Sequence, residues 1–289
     1  MRRIGEFKLD RVVESEEPLV APDGFFPEST PDVFAEYAEW LQPRYLDPVS
    51  GKLVICVQSY IVRTPRHTIV VDACVGNDKE RAVFPQWHHQ QSTYLADLAA
   101  AGVRVEEVDF VMCTHLHTDH VGWNTRLLDG RWVPTFPNAR YIFARDEYRH
   151  CEEQMRRDAS SGHPQAFADS VLPVMEAGQA VLVDNDHEID HGVWLEPATG
   201  HTPGNVVVNL RSGEDHAVLS GDVIHHPIQL VRPEWSSRAC EDRPLSRQTR
   251  CAFIERYADT NTLIAPAHFA SPSLGYIVHQ NDHFGYRDA

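Results

Sequence analysis

The segment Thr114-His-Leu-His-Thr-Asp-His120 packs His115, His117, Asp119 and His120 into a few consecutive positions. Imidazoles crowded in this way repel one another whenever they take up protons, so the cluster makes chemical sense around a cation, and nitrogen and carboxylate donors suit zinc and its first-row neighbours. Further along the chain stand His201 in Gly200-His-Thr-Pro-Gly204, the carboxylate Asp222 in Leu219-Ser-Gly-Asp222, and His268 after Ala265-Pro266-Ala267. A catalytic zinc takes three protein ligands and keeps one position open, and paired ions lie about 3.5 to 4 Å apart. Four side chains cannot enclose two such ions, and these three later residues would complete the set. Such a site leaves a position open for water on the metal.

The elements that must position these donors follow from local pattern. Val108-Asp-Phe-Val-Met-Cys113 reads as a short strand buried in a sheet. If the chain stays extended beyond it, His115 and His117 project to one side. Asp119 and His120 fall where a helix begins, over Asp119-His-Val-Gly-Trp-Asn124, and approach from another direction, so two ions fit better than one. His201 follows a predicted strand over Gly192–Pro197, Asp222 one over Asp215–Ser220, and His268 one over Asn261–Pro266. Functional crevices in α/β layers lie at such carboxyl ends.

Elsewhere, Lys52–Val62 and Thr68–Asp72 read as a strand pair turned at Thr64-Pro-Arg66, and Ser92–Ala101 as a helix stopped by Gly102. A strand at Arg140–Ala144 leads into a helix over Arg145–Gln154, with a second helical stretch over Ala166–Ala177. Residues 1–50, rich in Pro, Glu and aromatics, read as an N-terminal extension packing on a single domain that spans 1–289, with one helix over Asp32–Leu41. Two strand-rich halves, each closing with helices, predict two packed sheets with helices outside.

On these residues the chain resembles the metallo-β-lactamase superfamily of hydrolases, in its lactonase and methyl-parathion-hydrolase-like branch. The resemblance runs from about Leu53 to Phe269 and rests most specifically on the HxHxDH stretch from His115 to His120. It implies an α/β fold, a four-layer αββα sandwich of two mixed sheets. It also implies two divalent metal ions, zinc foremost, with manganese, iron or cobalt as substitutes. Carried over by position, His115, His117 and His201 would hold the first ion, Asp119, His120 and His268 the second, and Asp222 would bridge them. Asp72 matches an early aspartate that supports the metal loop from behind; on chemistry alone it could equally cap the turn into Ala73-Cys-Val-Gly76.

Charge arithmetic then suggests a mechanism. Two dications with Asp119, Asp222 and one hydroxide leave a formal charge of about +1, enough to hold hydroxide at neutral pH and attract a developing oxyanion. The shared hydroxide is the expected nucleophile and Asp119 the expected proton carrier. One departure concerns substrate polarisation. The lactonase branch uses a tyrosine near the bridging aspartate, whereas here Asp222 is followed by Val-Ile-His-His-Pro227. His225 or His226 would have to serve, and the Asp222-Val-Ile-His225 pattern looks closer to the organophosphate-hydrolysing members. A neutral imidazole can donate the same hydrogen bond. Phe25, Phe26, Phe84, Trp87, Trp123 and Trp235 either wall an apolar cleft for a small ester, lactone or phosphotriester, or pack the extension onto the domain.

Composition narrows the alternatives. The formal charge of −16 over 289 residues leaves no cationic excess for a phosphate backbone. The partners expected are a small-molecule substrate and no nucleic acid or membrane, with room for a homodimer. Six scattered cysteines at 56, 74, 113, 151, 240 and 251 form no CxxC pair, and none falls at a ligand position. The N-terminal stretch is too charged for a signal core and nothing is long enough to span a bilayer, so the reading is cytoplasmic. Against a thioesterase of the glyoxalase II kind, only residues 269–289 follow His268; against flavodiiron proteins, His117 stands where they carry glutamate. A mononuclear iron dioxygenase acting on persulfides and a non-catalytic metal-stabilised binding protein are the readings outside hydrolysis. The remaining histidines, among them His88, His89, His150, His163, His187, His191, His279 and His283, read as structural or surface residues.

Overall fold

Continuous apolar runs set two seven-stranded sheets in a computed structural model that describes residues 1–158 and 162–289. In chain order the strands of the first are β1 (Arg2–Ile4), β2 (Phe7–Val20), β3 (Leu53–Arg63), β4 (Thr68–Val71) and β5 (Phe110–Met112). After a separate hairpin of β6 (Thr125–Leu128) and β7 (Arg131–Pro134) come β8 (Arg140–Ala144) and β9 (Ala180–Val183), and the sheet order is β1-β2-β3-β4-β5-β8-β9. The second sheet keeps chain order: β10 (Glu188–Asp190), β11 (Val193–Pro197), β12 (Val206–Ser212), β13 (Asp215–Gly221), β14 (Leu263–Pro266), β15 (Gly275–Gln280) and β16 (His283–Asp288). The chain forms two compact units, Met1–Ser15 with Val57–His191, and Glu16–Cys56 with Gly192–Ala289.

In the first unit β4, β5, β8 and β9 run parallel, with Val71 opposite Met112, Met112 opposite Ile142 and Ala144 opposite Val183. Their carboxyl ends therefore lie at one edge, where Asp72 and Thr114 leave the sheet. Every residue of β3 except its last is buried, the mark of a strand covered on both faces rather than one alternating between core and water. In the second unit β11 and β13 both run antiparallel to β12, and β14 runs parallel to β13 with Gly221 opposite Pro266. The segments leading to His201, Asp222 and His268 thus all depart from the same edge.

The expected helix over Asp32–Leu41 is two short helices, Pro31–Glu36 and Ala38–Leu41, broken at Tyr37. Each turns one apolar side chain, Phe34 or Leu41, into a cluster with Phe26, Tyr45, Ile228 and Trp235. The stretch over Ala166–Ala177 is likewise divided, into Gly162–Ser170 and Leu172–Glu176, because Pro173 has no N–H to continue the first helix. Residues 7–20, read only as part of an extension, form a fourteen-residue strand of the first sheet, with Phe7, Leu9 and Val12 buried. Among the described residues no helix is long and apolar enough to cross a membrane.

Candidate metal centre

In the first unit the donors are built on the turn after β5. Asp72, at the end of β4, has a left-handed backbone (φ 59°) and its N–H reaches Met112 O at 2.8 Å. This points its carboxylate at the neighbouring strand end, where Oδ1 accepts from Thr114 N at 2.8 Å and both oxygens lie within 3.1 Å of Thr114 Oγ1. Oδ2 also stands 3.0 Å from His120 Nδ1. The aspartate therefore caps the turn and orients a donor ring at once. Leu116 N donates to Glu147 Oε1 at 3.0 Å, so a buried carboxylate from the helix Arg145–Arg157 pins the loop between His115 and His117.

The rings converge. His115 lies 4.6 Å from His117 and 4.1 Å from His120, centroid to centroid, and all three are buried. Asp119, on the short helix Thr118–Val121, has Oδ1 3.9 Å from His120 Nε2 and keeps 15% of its side chain exposed. His163, which the sequence presents as a structural or surface residue, stacks on His117 at 3.8 Å and accepts from Thr118 N at 3.2 Å. Phe84 packs in turn on His163 at 5.6 Å.

Glycine makes the cluster possible. Gly122 N donates to Cys74 O at 2.7 Å, and flanking bonds join Ala73 N to His120 O and Trp123 N to Ala73 O. A Cβ at Gly122 would lie 1.7 Å from Val75 O, so no other residue allows the helix carrying Asp119 and His120 to sit against the loop after Asp72. Glu14 completes the support, accepting from Val75 N, Ser92 Oγ and Trp123 Nε1. Burial raises its pKa, against the pull of those bonds.

In the second unit Asp222 leaves β13 after a register shift between Leu219 and Gly221. His201 Nε2 and His225 Nε2 stand 3.2 and 3.3 Å from Asp222 Oδ2, and His268 Nε2 stands 2.9 Å from Oδ1. One buried carboxylate thus faces three buried imidazoles. His268 Nδ1 donates to Cys56 O at 2.8 Å, and His201 Nδ1 is 3.4 Å from Cys240 Sγ. Burial opposes charge on His201, but Asp222 and Cys240 outweigh it and raise its pKa above the ordinary imidazole value. His225 goes the other way, to about 4, because burial dominates. Cys240 falls below the usual thiol range, since the bonds from His201, Ser237 and Ser246 overcome the cost of burying a thiolate.

The two histidines after Asp222 separate cleanly. His225 faces the carboxylate, with Phe25 edge-on at 5.5 Å. His226 turns away, its Nε2 donating to Tyr45 O at 2.9 Å and its Nδ1 accepting from Ile228 N. Of the aromatic residues singled out in the sequence, Phe26, Trp87, Trp123 and Trp235 are buried. Trp235 packs on Phe26 and Phe34, and Trp123 stacks on Tyr94. Phe25 and Phe84 keep partial exposure beside His225 and His163.

Residues 57–268 match the family described as the Metallo-beta-lactamase superfamily. The N-acyl homoserine lactonase AiiA of Bacillus thuringiensis subsp. kurstaki is 24% identical over 185 residues, 58% of this chain and 64% of that protein. A Bacillus cereus N-acyl homoserine lactonase is 23% identical over 175 residues, 56% of this chain and 61% of that one. The aligned part therefore spans just under two thirds of these relatives. Among solved structures, the hydrolase AbOPH of the beta lactamase superfamily superposes with a TM-score of 0.82 at 21% identity, covering 100% of this chain and 96% of the other. AidC, a dizinc quorum-quenching lactonase solved with the product N-hexanoyl-L-homoserine, gives 0.78 at 19%, with coverages of 100% and 96%. These likenesses establish a shared fold, the mixed α/β sandwich expected from the sequence.

Proposed function

The chain belongs to the metallo-beta-lactamase superfamily, and on that premise we propose that it is a metal-dependent hydrolase whose substrate is a small ester-type molecule, an N-acyl homoserine lactone foremost. The observation that carries this is Asp222, a buried carboxylate with imidazole Nε2 atoms 2.9 to 3.3 Å from its two oxygens. The donor chemistry fits divalent metal. His268 has its Nδ1 bonded to a backbone carbonyl, which leaves Nε2 as the lone-pair nitrogen, as metal-ligating histidines require. In this reading His115, His117 and His201 would hold one ion and Asp119, His120 and His268 the other, with Asp222 a donor to the pair.

When bound, such ions ionise water at neutral pH and polarise the scissile carbonyl or phosphoryl oxygen. The chain's own residues supply the rest. His225, held neutral by burial, donates a hydrogen bond to the oxyanion that develops on the substrate. Asp119 keeps more exposure than the buried donors around it and carries the proton from the attacking water to the leaving group. Phe25, edge-on to His225 at 5.5 Å, offers apolar contact to the substrate's acyl or aryl part. Lactone is placed first because both curated relatives named above are lactonases, and phosphotriester is the competing choice.

The test is turnover on acyl homoserine lactones, aryl esters and methyl phosphotriesters by fully metallated protein. Activity that vanishes with a chelator and returns with zinc, manganese or cobalt supports the proposal. Failure on every substrate by protein holding two ions per chain overturns it.

A further inference from the structure

His201 is held by its other nitrogen, and by an unusual partner. Its Nδ1 lies 3.4 Å from Cys240 Sγ, which itself lies 3.3 Å from Ser237 Oγ and 3.2 Å from Ser246 Oγ. A thiol that merely fills a core sits among apolar atoms; this sulfur has three polar neighbours. The surrounding backbone is fitted to the arrangement. Gly200 adopts φ +121° and a Cβ there would lie 2.2 Å from Ser246 N, while Glu241 N and Asp242 N donate to His201 O and Gly200 O at 2.9 and 3.0 Å. The loop of His201 is thereby fastened to the segment bearing Cys240 and to the start of the helix Arg243–Tyr257.

Behind the sulfur stands Arg250, fully buried on that helix. Its Nη1 donates to Ser246 Oγ at 3.3 Å, Nη2 to Ser236 Oγ at 2.9 Å and Nε to Pro233 O at 2.8 Å. All three acceptors are neutral oxygens, so the guanidinium fixes Ser246, and through it Cys240, without a carboxylate.

We propose that Cys240 is the positioning residue of His201: its sulfur accepts the Nδ1–H, fixes the tautomer and presents Nε2 to the metal, with Ser246 and Arg250 holding the sulfur in place. Carboxylates, carbonyls and waters usually occupy this position behind a metal-bound imidazole. The inference rests on the proposed function, since it presumes that His201 binds metal.

The experiment measures metal affinity by chelator competition, and the absorption spectrum of the cobalt-loaded protein, for wild type, Cys240→Ser and Cys240→Ala. We expect Cys240→Ala to weaken the tighter-perturbed ion by about tenfold to a hundredfold and to change the cobalt spectrum. Cys240→Ser, whose oxygen can still accept the bond, should recover most of that loss. If Cys240→Ala does not fold, Ser246→Ala serves instead and should shift affinity in the same direction by less. Wild-type affinity and spectrum in both the Cys240→Ala and Ser246→Ala proteins would overturn the positioning role while leaving the hydrolase reading intact. A wild type that binds no metal would overturn both.

Discussion

Asp72 Oδ2 lies 3.0 Å from His120 Nδ1, and the same carboxylate accepts the backbone N–H of Thr114, the residue before His115. One side chain therefore sets the end of a strand and the direction of a donor ring on the following helix. Removing it should loosen both. Asp72→Ala is expected to lower metal affinity by about tenfold to a hundredfold, read by chelator competition, with Asp72→Asn intermediate because its amide oxygen can still accept from Thr114.

His225 and His226 offer a contrast between adjacent residues. His225→Ala should keep two metals per chain and lower turnover by about tenfold to a thousandfold, the range for losing one oxyanion donor. Substituting His226 should leave the rate on folded protein nearly unchanged, because its ring bonds Tyr45 O and Ile228 N rather than facing Asp222. Equal turnover in wild type and His225→Ala would remove His225 from the mechanism.

The close approach at Gly122 predicts a large stability effect from the smallest side chain. Gly122→Ala would drive a methyl into Val75 O and should cost upwards of about 3 kcal/mol, beyond ordinary overpacking. Urea unfolding measures it, and a loss within about 0.5 kcal/mol, the range of a neutral surface change, would contradict the account of that contact.

His226 also gives a pH dependence with a definite sign. Burial brings its pKa from the ordinary 6.5 to about 4, against the opposing bond to Tyr45 O. Between those values the unfolded chain binds a proton that the folded chain refuses, so stability is present above about 6.5 and is lost as the pH falls toward about 4. Melting temperature should therefore drop between pH 7 and pH 5 more steeply in wild type than in His226→Gln. Parallel curves would refute the assignment.

The candidate donors stood out in the sequence by type and spacing, and each predicted strand end before His115, His201, Asp222 and His268 is a strand end in the structure. The supporting residues did not. Glu14, Glu147, His163 and Cys240 sit far in sequence from the rings they steady, and an isolated residue carries no periodicity. The strand over Phe7–Val20 was hidden by its acidic exposed half, although Phe7 and Leu9 do alternate with Lys8 and Asp10. Pro173 in the helical stretch was a visible breaker whose consequence the apolar pattern masked.

Metal content per folded chain tests the central claim most directly. The account predicts two divalent ions in wild type, with Asp222→Ala and His117→Ala each retaining fewer than two under the same dialysis. Wild-type protein that takes up no divalent metal, or an Asp222→Ala chain that keeps both ions at undiminished affinity, would contradict it.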